Sequence, residues 1–356
     1  MRSLALVYHE DYLLHEHTPT HPERRERLQY TMDQLEEEGL LDDPAVSFVA
    51  PSPATVEQLE RVHTRDYLEE LRSMSAAGEG KLSVDTHVSE HTWESARLAA
   101  GGVIEGLEAP RSDAYDTAFV MARPGGHHAF ADRGHGFCFL NNTAVGLRHL
   151  QATADVDRIL VWDWDAHHGD GTQSIFYDDP GVLVLSTHQS GETLFPGTGF
   201  VDEVGEGAGE GYNVNVPLPR RTGDSAYLEV VEEVFEPVTR QYDPDLLFVE
   251  AGQDNHFTDP ITDLGVTASG YASLMERAVG VADEVDATLV ASLAGGYAIE
   301  AGLPYTNLAV FASLLGYDTS NIREPAIYGP PPSSPGVGDV IDEVQRAHAD
   351  YWDFPG

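Results

Sequence analysis

Six short apolar runs rich in β-branched residues recur along this chain: "LALVYH" (4–9), "TAFVMA" (117–122), "RILVWD" (158–163), "VLVLST" (182–187), "DLLFVE" (245–250) and "TLVASL" (288–293). Runs this short and this uniformly apolar read as strands buried on both faces, a situation found in parallel sheets covered by helices. Between them lie helical patterns at 23–38, 64–75, 91–107, 141–151, 224–241, 267–284 and 299–315, with Thr267 or Ser269 as the cap of the sixth. This alternation predicts an α/β fold built on a doubly wound, mostly parallel sheet with helices on both faces. Pro and Gly cluster twice: 194–223 reads as a long irregular segment inside the fold, and "GPPPSSPGVG" (329–338) as an arm leading to a last helix near 338–351. No boundary divides the chain, so residues 1–356 are expected to form one domain with that arm and helix at about 329–356.

Acidic residues number 60 against 20 basic ones, a formal net charge of −40, and Lys81 is the only lysine. Hydrophobic content is an ordinary 41% and the acids are spread thinly, so the charge marks a solvated surface rather than disorder. The expectation is a protein from a salt-loaded cytoplasm, kept hydrated by carboxylates. At about 1 M salt the Debye length is only ~3 Å, so this charge cannot steer distant partners. The lack of clustered Lys and Arg argues against direct nucleic-acid binding. Cys138 is the sole cysteine, which rules out an intrachain disulfide and leaves His, Asp and Glu for any metal site. The N-terminal apolar run is too short for a signal peptide and no run of 18 apolar residues occurs, so a cytoplasmic protein without membrane contact is expected.

In open α/β sheets, ligands sit beyond the carboxyl ends of strands. Four of the six runs end in polar clusters: "RPGGHHAF", "DWDAHHGDG", "AGQDNH" and "AGGY". Along an extended segment alternate residues share a face, so Asp163, Asp165 and His167 would project together, away from Trp164 and Ala166. A single buried Asp or His is as readily a satisfied core residue as a ligand, but so many at one sheet edge need a shared reason. A divalent cation supplies it, and a mixed Asp and His set suits Zn²⁺ or another borderline ion. Asp165, His167 and one carboxylate from another strand end, most simply Asp254, would make three ligands with one position open for water. His127 and His128 would provide a base, and Asp163 and Asp170 remain to hold one imidazole each. Tyr297 on a glycine-rich turn could donate to a developing oxyanion, although a Tyr after two glycines is more often a packed ring.

In this order, "RPGGHHAF", "GFCFLNN" (136–142), "DWDAHHGDGTQ", "FPGTG" (195–199) and "AGGY" (294–297) resemble the zinc-dependent histone deacetylase superfamily, which includes acetylpolyamine amidohydrolases and acetoin-utilisation proteins. The likeness extends from "YHEDYLLHEHTPTHPERRERL" to beyond Tyr297. It implies an arginase-like α/β fold and hydrolysis of an acyl amide, Nε-acetyl-lysine or a related acetylated amine, to free amine and acetate. By position, Asp165, His167 and Asp254 match the metal ligands, with Zn²⁺ expected and Fe²⁺ the alternative. His127 and His128 match the acid/base pair, backed by Asp163 and Asp170, and Tyr297 matches the carbonyl-polarising tyrosine. Phe137 and Phe195, with Gly136, match the walls of the acyl-lysine channel. The resemblance also implies a K⁺ behind the zinc, held by Asp163, the carbonyls of Asp165, His167 and Thr187, and the Ser186 hydroxyl. A homo-oligomer is compatible with all of this.

Gln253 stands where a Phe is common, Asn255 and His256 follow the metal-binding position, and Ala294 replaces a frequent Glu. Polyamine-selective relatives can carry a gatekeeping Glu after the "DP" motif, where this chain has Ile261, which favours acetyl-lysine or a small acetylated amine, with Asp263 keeping the polyamine option open. Two other classes remain. A ureohydrolase with two manganese ions would want a carboxylate two residues after His167, where Gly169 stands and Asp170 comes one place later. A binder of acylated lysine without turnover would not need Tyr297 or the histidine pair.

Overall fold

The computed structural model describes residues 2–112, 114–300, 302–325, 329–330 and 336–355. Ten strands occur among these residues: β1 (Leu4–Val7), β2 (Val46–Val49), β3 (Glu79–Lys81), β4 (His87–Ser89), β5 (Thr117–Val120), β6 (Ile159–Asp163), β7 (Val182–Gln189), β8 (Asn213–Leu218), β9 (Leu246–Ala251) and β10 (Thr288–Leu293). Eight form one sheet in the order β2-β1-β5-β10-β9-β6-β7-β8, and every pairing in it is parallel. The remaining two, β3 and β4, make a small antiparallel hairpin.

All six apolar runs are strands of the main sheet. Every residue of β1, β5, β6, β7 and β9 is buried, which requires cover on both faces. The helix Thr92–Arg111 packs on β1, β5 and β10, and the helix Ala268–Glu284 packs on β10 and against Gly302–Leu315. Thr267 caps Ala268–Glu284, its hydroxyl accepting the Gly270 N–H. The pattern at 224–241 becomes a continuous helical path, Asp224–Tyr242, interrupted by one π-helical turn at Val231–Phe235 that brings Phe235 to 3.8 Å from Trp162, stacked.

The sequence reading missed the short β3–β4 hairpin and two strands of the main sheet, which lie at its edges. β8 falls inside the segment read as irregular, because "NVNVPL" alternates Asn with Val and contains Pro217, which an edge strand tolerates. The Nδ2 groups of Asn213 and Asn215 are satisfied by donating to Gln173 Oε1, each at 2.8 Å. β2 at the opposite edge leaves Phe48 exposed.

The last helix is Gly338–His348, packed on β8; of the arm before it, residues 331–335 lie outside the described residues. His348 is fully buried, neither ring nitrogen has a hydrogen-bond partner among the described residues, and burial lowers its pKa to about 4. A histidine whose folded-state pKa lies below the ordinary 6.5 contributes stability that is complete above pH ~6.5 and lost as pH falls towards 4. His348→Leu should therefore reduce the drop in unfolding free energy between pH 7 and pH 5 by about 2 kcal/mol, measured by denaturant titration at both pH values. Parallel pH dependences for parent and variant would exclude this role.

Candidate metal centre

The strand order explains how four distant polar clusters meet. β5, β10, β9 and β6 are neighbours, so the segments after their carboxyl ends, near 121–128, 294–297, 252–256 and 164–170, converge on one region. Asp163 is the last residue of β6, whereas Asp165 and His167 lie on the loop beyond it rather than on an extended strand. The alternation inferred for this stretch still separates polar from apolar groups. Trp164 is fully buried, edge-on to Trp162 at 5.1 Å and near Tyr271 at 6.2 Å. That aromatic anchor fixes the chain on both sides of Asp163 and just before Asp165.

Asp165, His167 and Asp254 are all buried, and one ligand atom from each lies within 4.8 Å of the others. His167 Nδ1 is 3.1 Å from Asp165 Oδ1 and 2.9 Å from Asp254 Oδ2. Three backbone N–H groups from two segments fix the carboxylates: Asp165 Oδ1 accepts from His167 at 2.9 Å, Asp165 Oδ2 from Gly295 at 2.7 Å, and Asp254 Oδ1 from Ala166 at 2.8 Å. A side chain at Gly295 would overlap both the Asp165 and Asp254 carboxylates, which accounts for a glycine there. Burial and then the Asp165 charge push the Asp254 carboxyl up to about 6. Burial opposes ionisation of Asp165 as well, but His127 and His167 hold it below the usual carboxylate range. Two carboxylate oxygens and one imidazole nitrogen, preassembled at the cost of like-charge crowding, fit a borderline divalent ion.

The histidine pair sits beside this trio. His127 and His128 ring centroids are 4.1 Å apart, and His127 Nε2 lies 4.0 Å from Asp165 Oδ1. His127 Nδ1 is 3.0 Å from Asp163 Oδ2, and His128 Nδ1 is 2.8 Å from Asp170 Oδ1. Each imidazole thus has its own aspartate, in the pairing the sequence suggested. Their electrostatics diverge. Burial disfavours charge on His127, but Asp163 and Asp165 outweigh it and raise its pKa to about 10. Burial and then the neighbouring His127 lower His128 to about 3.

Phe195 and Phe137 lie beside these groups: Phe195 is 5.2 Å from the His128 ring, and Phe137 is edge-on to Tyr297 at 5.8 Å. Gly136 adopts φ +56, and a Cβ there would overlap the His128 ring. Tyr297 stands on the "AGGY" loop, and burial pushes its phenol well above 10, so it stays protonated. Asp163 and Ser186 are register partners across β6 and β7; the Ser186 hydroxyl is 2.8 Å from His188 Nδ1, and the Thr187 carbonyl accepts the Tyr227 hydroxyl at 2.9 Å.

Several supporting residues had no role in the sequence reading. Arg27 donates from Nε to the Gly296 carbonyl at 2.7 Å and from Nη2 to the Ala294 carbonyl at 2.5 Å, with its guanidinium 4.9 Å from the Tyr297 ring centre. It clamps the loop that carries the tyrosine. Glu23 holds Arg27 at 3.2 Å and grips Arg123 through two bonds of 2.7 and 2.8 Å. Asp259 Oδ2 accepts the Tyr297 N–H at 2.7 Å. Glu250, opposite Asp163 in the register, is buried, accepts the Thr143 hydroxyl, and is pushed up to about 8 by burial and the Asp163 charge. His15 and His17 form another group of ligand spacing with Glu23, but that carboxylate is already neutralised by two arginines. The only signal for Arg27 and Glu23 was their spacing of four within a helical pattern.

Comparison with known proteins identifies relatives of this chain. Residues 21–314 match the model of the histone deacetylase domain. A probable deacetylase of Archaeoglobus fulgidus is 48% identical over 356 residues, covering 98% of each chain. A histone deacetylase-like amidohydrolase of Pseudomonas aeruginosa is 35% identical over 303 residues, covering 85% of this chain and 76% of its own. The crystal structure of the HDA15 HD domain superposes with a TM-score of 0.88 at 30% identity, covering 98% of this chain and 95% of that one. On this evidence the chain belongs to the histone deacetylase family of amidohydrolases.

Proposed function

We propose that the protein is a metal-dependent deacetylase that removes acetyl groups from Nε-acetyl-lysine or a related small acetylated amine. The observation that carries this reading is the buried trio of Asp165, His167 and Asp254, flanked by two histidine–aspartate pairs and a protonated tyrosine. A divalent ion held by that trio, Zn²⁺ on the chemistry of the donors, supplies Lewis-acid polarisation of the amide and lowers the pKa of water. The protein's own groups do the rest. With both Nδ1 atoms engaged by aspartates, the two Nε2 atoms are left to take a proton from the attacking water and to return one to the leaving amine. Tyr297 donates to the developing oxyanion, Arg27 and Asp259 hold its loop, and Phe137 and Phe195 flank the substrate chain and exclude water.

Asp170 Oδ1 is engaged by His128 and Asp163 Oδ2 by His127, which counts against the carboxylate bridge to a second metal that a ureohydrolase would need. Asp263 is paired with Arg220, which weakens the case for a polyamine-binding acid at that position. A panel of acetyl-lysine peptides, acetylpolyamines and small acetamides, assayed in molar KCl with metal quantified, tests the reading. Acetate release strongest from acetyl-lysine or a small acetamide is expected; no acetate from any substrate would refute it.

The K⁺ expected behind the trio, near Asp163 and Ser186, gives a separate prediction. Exchanging KCl for a large organic cation at equal ionic strength keeps screening constant and removes a fitting ion, so activity should fall several-fold. Equal activity in the two salts would dismiss the K⁺ site.

A further inference from the structure

The two histidine–aspartate pairs differ in how their carboxylates are held. Asp163 is tied at both oxygens: Oδ2 lies 3.0 Å from His127 Nδ1, and Oδ1 accepts the Asp165 N–H at 3.1 Å. Asp170 uses one oxygen twice, with Oδ1 2.8 Å from His128 Nδ1 and accepting the Gly171 N–H at 3.1 Å. Its Oδ2 faces His135 Nε2 at 3.1 Å. That nitrogen is buried and has no hydrogen-bond partner among the described residues; it approaches Asp170 Oδ2 without the alignment of an ideal hydrogen bond. A carboxylate tied at one oxygen turns easily, because the terminal torsion of Asp has a broad minimum. A second tie removes that freedom.

The chain brings His135 there through a tight turn. His135 and Cys138 close it, the Cys138 N–H donating to the His135 carbonyl at 2.9 Å, while Gly136 and Phe137 adopt φ +56 and +67. One turn therefore sets the Phe137 wall, lays Gly136 against His128 and aims His135 at Asp170. The His135 ring packs 5.4 Å from Phe130, 5.5 Å from Phe195 and 5.6 Å from His128. Its side chain is 21% exposed against 10% for Asp170, so it lies on the solvent side of the carboxylate. Asp85, from the segment preceding β4, is a further acid in its field.

We propose that His135 is a positioning residue for the histidine pair: by occupying the second oxygen of Asp170 it fixes that carboxylate, and through it the ring plane of His128. The inference rests on the deacetylase reading of the site for its kinetic consequence but not for its geometry. His135→Met removes the donor and keeps an apolar filler, whereas His135→Gln keeps an N–H near the same place. With an acetyl-lysine peptide, the Met variant should lose about tenfold or more in kcat with KM within about twofold, and the Gln variant should recover most of it. In substrate-free protein, the downfield proton resonance of the His128–Asp170 bond should move in the Met variant and return in the Gln variant. An unmoved resonance, or a raised KM that Gln fails to correct, would show that His135 merely supports the turn and would overturn the proposal. Should the parent release no acetate at all, the deacetylase reading falls, while the resonance still decides the role of His135.

Discussion

Asp254→Asn is expected to abolish metal uptake and acetate release together, by at least about a thousandfold in kcat/KM, while leaving the metal-free protein as stable as the parent or more so. The carboxylate it removes is pushed up to about 6 by burial and by Asp165, so its charged form opposes folding at neutral pH unless a cation is present. A destabilised apo-protein would mean that Asp254 is a core residue satisfied by the Ala166 N–H rather than a ligand. Metal should separate the two proteins further. At a hundredfold excess over Kd, a ligand that binds only the folded state stabilises it by about 2.7 kcal/mol. Thermal unfolding with and without Zn²⁺ should show that gain in the parent and none in the variant.

The second large effect is expected from Tyr297→Phe. A phenol that donates only to a developing oxyanion stabilises the transition state without binding the ground state, so kcat should fall about 10²- to 10³-fold with KM little changed. The ring itself is retained, and with it the edge-on contact to Phe137 and the Arg27 guanidinium over its face, so unfolding should be unaffected. Steady-state kinetics beside a denaturation curve checks both halves. Full activity in the variant would exclude the assigned role, and a loss of stability would make Tyr297 a packing residue.

Much of this site could be read from periodicity and position. The four apolar runs followed by polar clusters proved to be four adjacent strands, while the assignment of Asp163 to His127 and Asp170 to His128 came from the family resemblance, and the side chains meet in those pairs. What escaped the sequence did so for physical reasons. β2 and β8 are edge strands, where one-sided or polar burial erases the apolar run that marks a central strand. Glu23 and Arg27 sit in "HPERRERL", which looks like any solvated helix start in so acidic a chain, yet both are almost completely buried in an arginine–carboxylate cluster beneath the tyrosine loop. His135 was hidden for a similar reason: its proximity to Asp170 depends on a turn with two positive φ angles, one of them at a phenylalanine, which composition does not announce.

The most direct test is a metal titration of acetate release. Protein stripped of metal should be inactive towards acetyl-lysine peptide and should regain activity linearly to a plateau at one divalent ion per chain, with Asp254→Asn silent throughout. A plateau at two ions with urea released from guanidines, or activity indifferent to metal, would contradict a mononuclear centre at Asp165, His167 and Asp254.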